Sequence, residues 1–269
     1  MGDRTARALA AVLLVLLVVV VVAPLVVVVI GSVIDTSVLG LTSESWQQDA
    51  SAWSWFSYVL ELYGEHLARS AWLAIVVVAG AFLIGFPAAY GLARRSDGWS
   101  AAVRVLLDAP LAIPGLTVGI GLLLAYPWGR ASGATLAAGH LLYALPFFVR
   151  AATNALSAAG LAELEEAAAA AGASATQRFQ RIVLPLARPG LLAGALMAFT
   201  ISWGEFNVSF LLATPTTQTF PAALYLTYTT NSFPVAAAAT TLFLAAATPA
   251  LLLLQQIAAS ETARFGEAA

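Results

Sequence analysis

The chain has 269 residues, of which 61% are hydrophobic and only 10% charged, with a formal net charge of -2 and a mean hydropathy of +0.88. So little polar surface cannot cover a water-soluble core, so the chain belongs in a lipid bilayer, and a charge this close to zero gives no reason to expect nucleic acid as a partner. The absence of cysteine excludes disulfides, thiolate metal sites and a cysteine nucleophile.

Met1 to Arg7 is a short basic head, and Ala8 to Ile34 is an almost unbroken apolar run rich in Val and Leu. A cleavable signal peptide has an apolar region of about 7 to 15 residues. This run is long enough to span, for which about 20 residues are needed. Asp35 to Arg69 reads as a polar loop carrying Asp35, Glu44, Asp49, Glu61 and Glu65, and its Trp46, Trp53, Trp55 and Tyr58 suit a helix lying at the interface. His66 reads there as a solvated surface residue. Five further spans follow at Ser70 to Ala93, Val103 to Tyr126, Ala134 to Ala152, Pro189 to Leu212 and Val235 to Ala258. The fold class is all-α: a polytopic membrane helix bundle of six transmembrane helices.

Basic residues are retained on the cytoplasmic side of a membrane. With the N-terminus inside, Arg4, Arg7, Arg94, Arg95, Arg150, Arg178, Arg181, Arg188 and Arg264 are cytoplasmic, Arg104 lies at that interface, and only Arg69 and Arg130 fall outside. Both termini are then cytoplasmic, in the plasma or inner membrane of the cell.

Within the third span, Pro110 and Pro114 each remove a backbone donor, and Gly115, Gly119 and Gly121 permit close approach, so a kinked helix deep in the bundle is expected. His140 in the fourth span reads as a hydrogen-bonded packing residue rather than a ligand. In the fifth span Gly194, Ala198, Ser202, Glu205 and Ser209 fall on one side of a helix, and Leu192, Leu196, Phe199, Trp203, Phe206 and Phe210 on the other. The small polar stripe should face a partner helix or an aqueous path. Glu205, about 24 Å along the helix from Pro189, either lines the outer part of that path, or is paired structurally, or simply sits at the outer interface. A carboxylate at this depth costs a few kcal/mol unless paired or wetted.

Leu164 to Pro185, LEEAAAAAGASATQRFQRIVLP, is too polar and too broken to span. An Ala-rich helix carrying Glu163, Glu165 and Glu166 should stop at Gly172, and a second should restart near Ser174 to Thr176 with Gln177, Arg178, Gln180 and Arg181 on a polar face. Phe179, Ile182 and Leu184 can rest on the bundle beneath, and Pro185 and Pro189 should end that helix and restart the next. The result is a knob on the membrane face. The topology places it in the cytoplasm without using the knob itself.

Glu166-Ala167-Ala168, three residues, Gly172, nine residues, Ile182, two residues and Pro185 resemble the EAA signature of permease subunits in binding-protein-dependent ABC importers, which have the type I importer fold. The third-span pattern, Leu145-Pro146-Phe147-Phe148-Val149-Arg150, and Trp203-Gly204-Glu205-Phe206 resemble segments of permeases for polyamines, thiamine, ferric iron and oxyanions. The resemblance implies a permease domain over 66–258, preceded by a transmembrane helix and extracytoplasmic loop over 1–65 and followed by a tail over 259–269. It implies that Glu166, Ala167, Gly172, Ile182 and Pro185 form the ATPase-coupling site; the small polar stripe, rather than the resemblance, suggests Ser202, Glu205 and Ser209 for the translocation path. The partners implied are cytoplasmic ATP-binding subunits, a second permease subunit and an extracytoplasmic solute-binding protein. No cofactor, metal or catalytic residue is expected. The chain has no Gly-rich loop ending in Gly-Lys-Ser/Thr to cradle ATP phosphates, so hydrolysis must reside in a separate subunit. The competing class is an intramembrane enzyme, which needs clustered carboxylates, a His-Glu-x-x-His element or a Ser/His pair at membrane depth, and no such motif is recognisable.

Overall fold

The computed structural model describes residues 2–33, 52–158, 160–231 and 233–266, and all of its regular elements are helical. They are α1 (Gly2–Gly31), α2 (Ala52–Gly80), α3 (Phe86–Ala93), α4 (Gly98–Ala112), α5 (Gly115–Ala125), α6 (Ala134–Leu156), α7 (Leu161–Ala170), α8 (Ala175–Arg178), α9 (Leu184–Gly204), α10 (Asn207–Leu212), α11 (Phe220–Thr230) and α12 (Phe233–Gly266). Asp35, Glu44, Trp46 and Asp49 of the expected polar loop lie outside the described residues. Five helical stretches are long and apolar enough to cross a membrane, and the bent pair α4 and α5 makes a sixth if it is one span. This is the all-α polytopic bundle expected.

Several boundaries differ from the sequence reading, each for a local reason. Trp53, Trp55 and Tyr58 sit on α2, which continues into the second span, so they do not form a separate interfacial helix. The third span is broken rather than kinked. The α4 and α5 axes meet at 103° because Pro114 drives Ile113 out of the helical region, to ψ 132. The fifth span starts earlier and is interrupted later: helix runs from Ala175 to Gly204, and Glu205 then turns extended at ψ 113 before α10 begins. Pro185 and Pro189 therefore lie inside a helical run. A π-turn over Phe179–Val183 precedes Pro185, with the Leu184 N–H donating to the Phe179 carbonyl, so the wider turn re-registers the backbone just before the missing donor. The same device, a π-turn over Ala81–Gly85, precedes Pro87 between α2 and α3. Between the fifth and sixth expected spans the chain forms a further helix, α11.

Contacts divide the chain into two compact units, one of residues 1–65 with 223–246 and the other of residues 66–222 with 247–269. In the first unit the Val and Leu side chains of α1, Val28 excepted, stand exposed, as lipid-facing side chains do. Gly31 lies so close to Phe233 that an added methyl would sit 2.6 Å from the ring.

The second unit is built on α6 packed along α9. Its core gathers Ala144, Phe148, Ala152 and Leu156 of α6 with Ala187, Leu191 and Ala198 of α9 and Ala89 and Leu92 of α3. Lipid offers no less apolar an environment than a neighbouring helix, so the contact must come from close van der Waals fit, which small residues allow. A methyl at Gly190 would lie 2.2 Å from the Ala155 Cβ, and one at Gly194 would lie 3.1 Å from Phe148. Gly190→Ala is therefore expected to lower the unfolding free energy in detergent by about 1–3 kcal/mol, the cost of overpacking, and Ala155→Gly in the same chain should recover most of it. Absence of recovery would show that α6 and α9 do not meet at this point.

Candidate functional site

The 161–185 segment folds from strictly local signals. At the end of α7, Gly172 adopts a left-handed φ of 87. The Ala173 N–H donates to the Ala168 carbonyl at 2.9 Å and the Gly172 N–H to the Ala169 carbonyl at 3.0 Å, a Schellman closure. Two residues later a capping box starts α8: Ser174 Oγ accepts from the Gln177 N–H at 3.3 Å, and Gln177 Oε1 accepts from the Ser174 N–H at 2.8 Å. Stop, bend and restart thus fall where the sequence put them.

The five signature residues do not form one surface. Glu166, Ala167 and Gly172 are exposed, together with Gln177, Gln180 and Arg181, and form an outer ridge. Ile182 packs partly buried against the core of the unit, and Pro185 lies half-buried where α9 starts. The first three present the ridge and the last two anchor it. Phe179 meets Phe86 of α3 edge to face, with ring centroids 5.7 Å apart.

A tie that the sequence did not reveal lies beneath the ridge. Arg94, just past α3, donates through Nη2 to Glu165 Oε2 at 2.8 Å and through Nη1 to the Leu156 carbonyl at 2.7 Å. The Tyr90 hydroxyl donates to Glu165 Oε1. Burial alone would raise the Glu165 carboxyl, but hydrogen bonds from Arg94 and Tyr90 and the charges of Arg94 and Arg178 outweigh it and hold the carboxyl below its ordinary value of 4.5. A carboxyl lowered in the folded state stabilises it fully above the ordinary value and ceases to as the pH falls through the folded one. The tie is therefore intact at neutral pH. A Tyr and an Arg four apart at the end of a span was the visible signal, but nothing in the sequence says what they meet.

The second feature is the break between α9 and α10. Ser202 and Ser209, on opposite sides of it, are both buried. Each faces one nitrogen of His140 on α6: Nδ1 lies 3.0 Å from Ser202 Oγ and Nε2 lies 2.8 Å from Ser209 Oγ. A neutral imidazole donates from one nitrogen and accepts at the other, so both contacts can be made at once. His140 is thus the hydrogen-bonded packing residue expected, whereas the two serines do not stand on an open surface of the chain. Ser202 faces α6 from α9 and Ser209 faces it from α10, beyond the break, so the two hydroxyls meet the same imidazole from different helices. Glu205, partly exposed at the break, accepts the Val208 N–H at 2.9 Å through Oε1 and so supports the start of α10. The other end of α10 is capped by Arg130, which donates to the carbonyls of Leu211, Leu212 and Ala213 at 3.4, 3.2 and 3.3 Å. His66 is not a free surface residue either, since its Nδ1 lies 3.1 Å from the Gln218 carbonyl.

The described residues thus form a polytopic bundle with a polar, doubly capped knob between two spans and helices broken within the bundle. The chain belongs to the family described as binding-protein-dependent transport system inner membrane components, which it matches over residues 81–260. It is a permease subunit of an ABC importer rather than an enzyme. It is 33% identical over 181 residues to the molybdenum transport system permease protein ModB of Mycobacterium tuberculosis, covering 60% of this chain and 67% of that one. It is also 32% identical over 157 residues to the molybdate/tungstate transport system permease protein WtpB of Thermococcus kodakarensis, covering 58% of this chain and 62% of the relative. Among solved structures it resembles a bacterial ABC transporter involved in the import of the acidic polysaccharide alginate, with a TM-score of 0.69 and 18% identity over 95% of this chain and 97% of that one.

The His140 contacts make a stability prediction that separates packing from polarity. His140→Ala should strand two buried hydroxyls and cost about 1–3 kcal/mol. The triple variant His140→Leu, Ser202→Ala, Ser209→Ala should lie closer to wild type, because it leaves no polar group unpaired. Unfolding in detergent reads both, and a triple variant worse than His140→Ala would mean that the hydroxyls gain nothing from the imidazole.

Proposed function

We propose that this chain is the permease of an importer for a tetrahedral oxyanion of the molybdate and tungstate class. The observation that carries the substrate is the likeness to permeases named for molybdenum and for molybdate/tungstate, at 33% and 32% identity. In this reading the chain forms half of the translocation path with a second permease subunit, an extracytoplasmic binding protein delivers the anion, and two cytoplasmic ATPase subunits supply the energy. A carboxylate on an anion path would repel its cargo unless its charge is engaged. Glu205 fits this requirement, since its carboxylate is turned onto the N–H of Val208. Glu205 lines the outer part of the path, and Ser202 and Ser209 stand behind it and hold the break in shape through His140. Reconstituted with the ATPase and binding protein that purify with it, the chain should support ATP-dependent uptake of labelled molybdate that unlabelled tungstate competes and thiamine, polyamine or ferric iron do not. Glu205→Gln should reduce that uptake while leaving expression intact. Competition by a cation and not by tungstate would overturn the oxyanion reading, and full uptake by Glu205→Gln would remove this residue from the path.

The coupling site is the outer ridge, with Glu166, Ala167 and Gly172 at the ATPase and Ile182 and Pro185 anchoring the ridge to the bundle. The exposure of Glu166, the positive φ of Gly172 and the arginine placement that puts both termini and this loop in the cytoplasm support it. A β-branched side chain resists positive φ, and left-handed backbone costs about 1–2 kcal/mol for a residue with a Cβ. Gly172→Val should therefore insert normally yet lose co-purifying ATPase or uptake. Wild-type uptake by Gly172→Val, or a reporter fused after Gly266 that reads outside the cell, would count against the assignment.

A further inference from the structure

Two adjacent carboxylates on α7 have opposite surroundings. Glu166 is exposed on the ridge, whereas Glu165 is turned inward, with 16% of its side chain exposed. Both Glu165 oxygens are engaged by the end of the second span, Oε2 by Arg94 and Oε1 by Tyr90. Arg94 is held in turn. Its guanidinium lies 5.0 Å from the centroid of the Tyr90 ring, and its second nitrogen donates to the carbonyl of Leu156, the last residue of α6. One planar side chain therefore joins three elements: the end of α3, the C-terminus of α6 and the inner face of α7. Arginine suits this position because its fork donates in two directions while its face stacks on a ring, which lysine cannot do. A cavity of about 320 Å³ opens beside the tie, lined by Tyr90, Arg94, Glu165, Glu166 and Arg178. Ala-rich α7 offers little else to grip the bundle: Glu163, Leu164, Ala167, Ala169 and Ala170 are exposed, and only Leu161 is fully buried.

We propose that Arg94, assisted by Tyr90, is the positioning residue that fastens the coupling helix α7 to the membrane helices through Glu165, so that a displacement of the knob moves α3 and the end of α6 as one body. The proposal rests on the reading of the 164–185 segment as the ATPase-coupling site. It divides the labour between neighbours: Glu166 faces the partner, and Glu165 faces the chain's own membrane helices. A permease lacking the tie would still present Glu166 and the Gly172 bend to the ATPase, but the displacement delivered there would be lost in the pivoting of α7.

The test is the number of anions taken up per ATP hydrolysed by the complete transporter in proteoliposomes, a ratio that does not depend on how much complex has folded. Thermal unfolding of each assembled variant is measured alongside. Arg94→Gln and Glu165→Gln should each lower the ratio by about tenfold, within the range of coupling factors between linked sites, while the ATPase still co-purifies. The double variant should be no worse than either single one, because both remove the same link. Tyr90→Phe removes one hydroxyl without unmaking the ion pair, and it should lower the ratio by a smaller factor. It also carries the test if Arg94→Gln does not assemble. An unchanged ratio in assembled Glu165→Gln or Tyr90→Phe, with only the unfolding temperature lowered, would reduce the tie to a structural contact. Losses that multiply in the double variant would show that Arg94 and Glu165 act separately, and either result overturns the proposal. Glu166→Gln in the same membranes tests the underlying reading. If it retains both its ATPase and its ratio, the coupling site is elsewhere; if it loses them while Arg94→Gln keeps its own, the coupling reading stands and the tie alone fails.

Discussion

The contact on which the rest of the second unit depends is the close approach of α6 to α9. Between lipid and a neighbouring helix there is no difference in apolarity to drive association, so stability comes from dispersion at short range and from hydrogen bonds that lipid cannot replace. Gly190 and Gly194 bring the α9 backbone against Ala155, Ala151 and Phe148, a fit with no room for an added methyl. Once α6 is fixed in this way, its other faces become anchor points. His140 holds both sides of the α9 and α10 break. The Tyr143 hydroxyl donates to the Ile113 carbonyl at the α4 and α5 break, at 3.1 Å. Arg150 pairs with Asp108 of α4 at 2.7 Å, and the Leu156 carbonyl receives Arg94. These contacts are spread along the whole of α6, which makes it the spine from which the broken helices hang.

Broken helices within a membrane domain leave backbone groups that water is not present to satisfy, and each unsatisfied group in such surroundings costs several kcal/mol. The chain meets this demand mainly with side chains from elsewhere. Ile113, stripped of a helical partner by Pro114, is met by Tyr143. The first turn of α10 is met by Glu205 and its last carbonyls by Arg130. The end of α3 is met by Arg104, which donates to the Leu92 carbonyl at 3.0 Å. Three arginines, Arg94, Arg104 and Arg130, thus serve as C-terminal caps, a use in which a long cationic donor also suits the negative end of a helix.

What the sequence disclosed and what it hid divide along the distance between the residues concerned. The Gly172 bend and the Ser174 restart depend on residues within a few positions of one another, and both were legible. The span count was legible because it rests on summed hydropathy. The breaks at Pro114 and Glu205 were harder: proline announced a perturbation, but whether it bends a helix slightly or by 103° depends on whether another chain segment, here Tyr143, takes over the orphaned carbonyl. Ser202 and Ser209 of the expected stripe meet at His140, some sixty residues upstream, while Glu205 turns to the Val208 N–H instead, and neither destination is written in the local sequence. Arginine placement gives an expected topology, since that rule counts charges by side. It could not yield the carbonyls of Leu92, Leu156 or Leu211 to Ala213 as their partners.

These anchors also define a mechanical route between the two halves of the proposed function. From Leu156, where Arg94 ties α6 to α7, to His140, which holds the α9 and α10 break, the chain is a single helix rising about 24 Å over sixteen steps of 1.5 Å each. The stretch contains Pro146 but no loop, so in the proposed mechanism a shift of its C-terminal end would reach the imidazole through helix alone. At that end the imidazole holds one hydroxyl on each side of the break, so a movement of α6 relative to α9 must either carry α10 along or exchange one serine contact. Glu205 lies between those two serines, so a change in the angle of the break changes what its carboxylate faces. Arg94 and His140 are thus the two joints at which a rigid α6 would have to be released for the knob and the break to move independently.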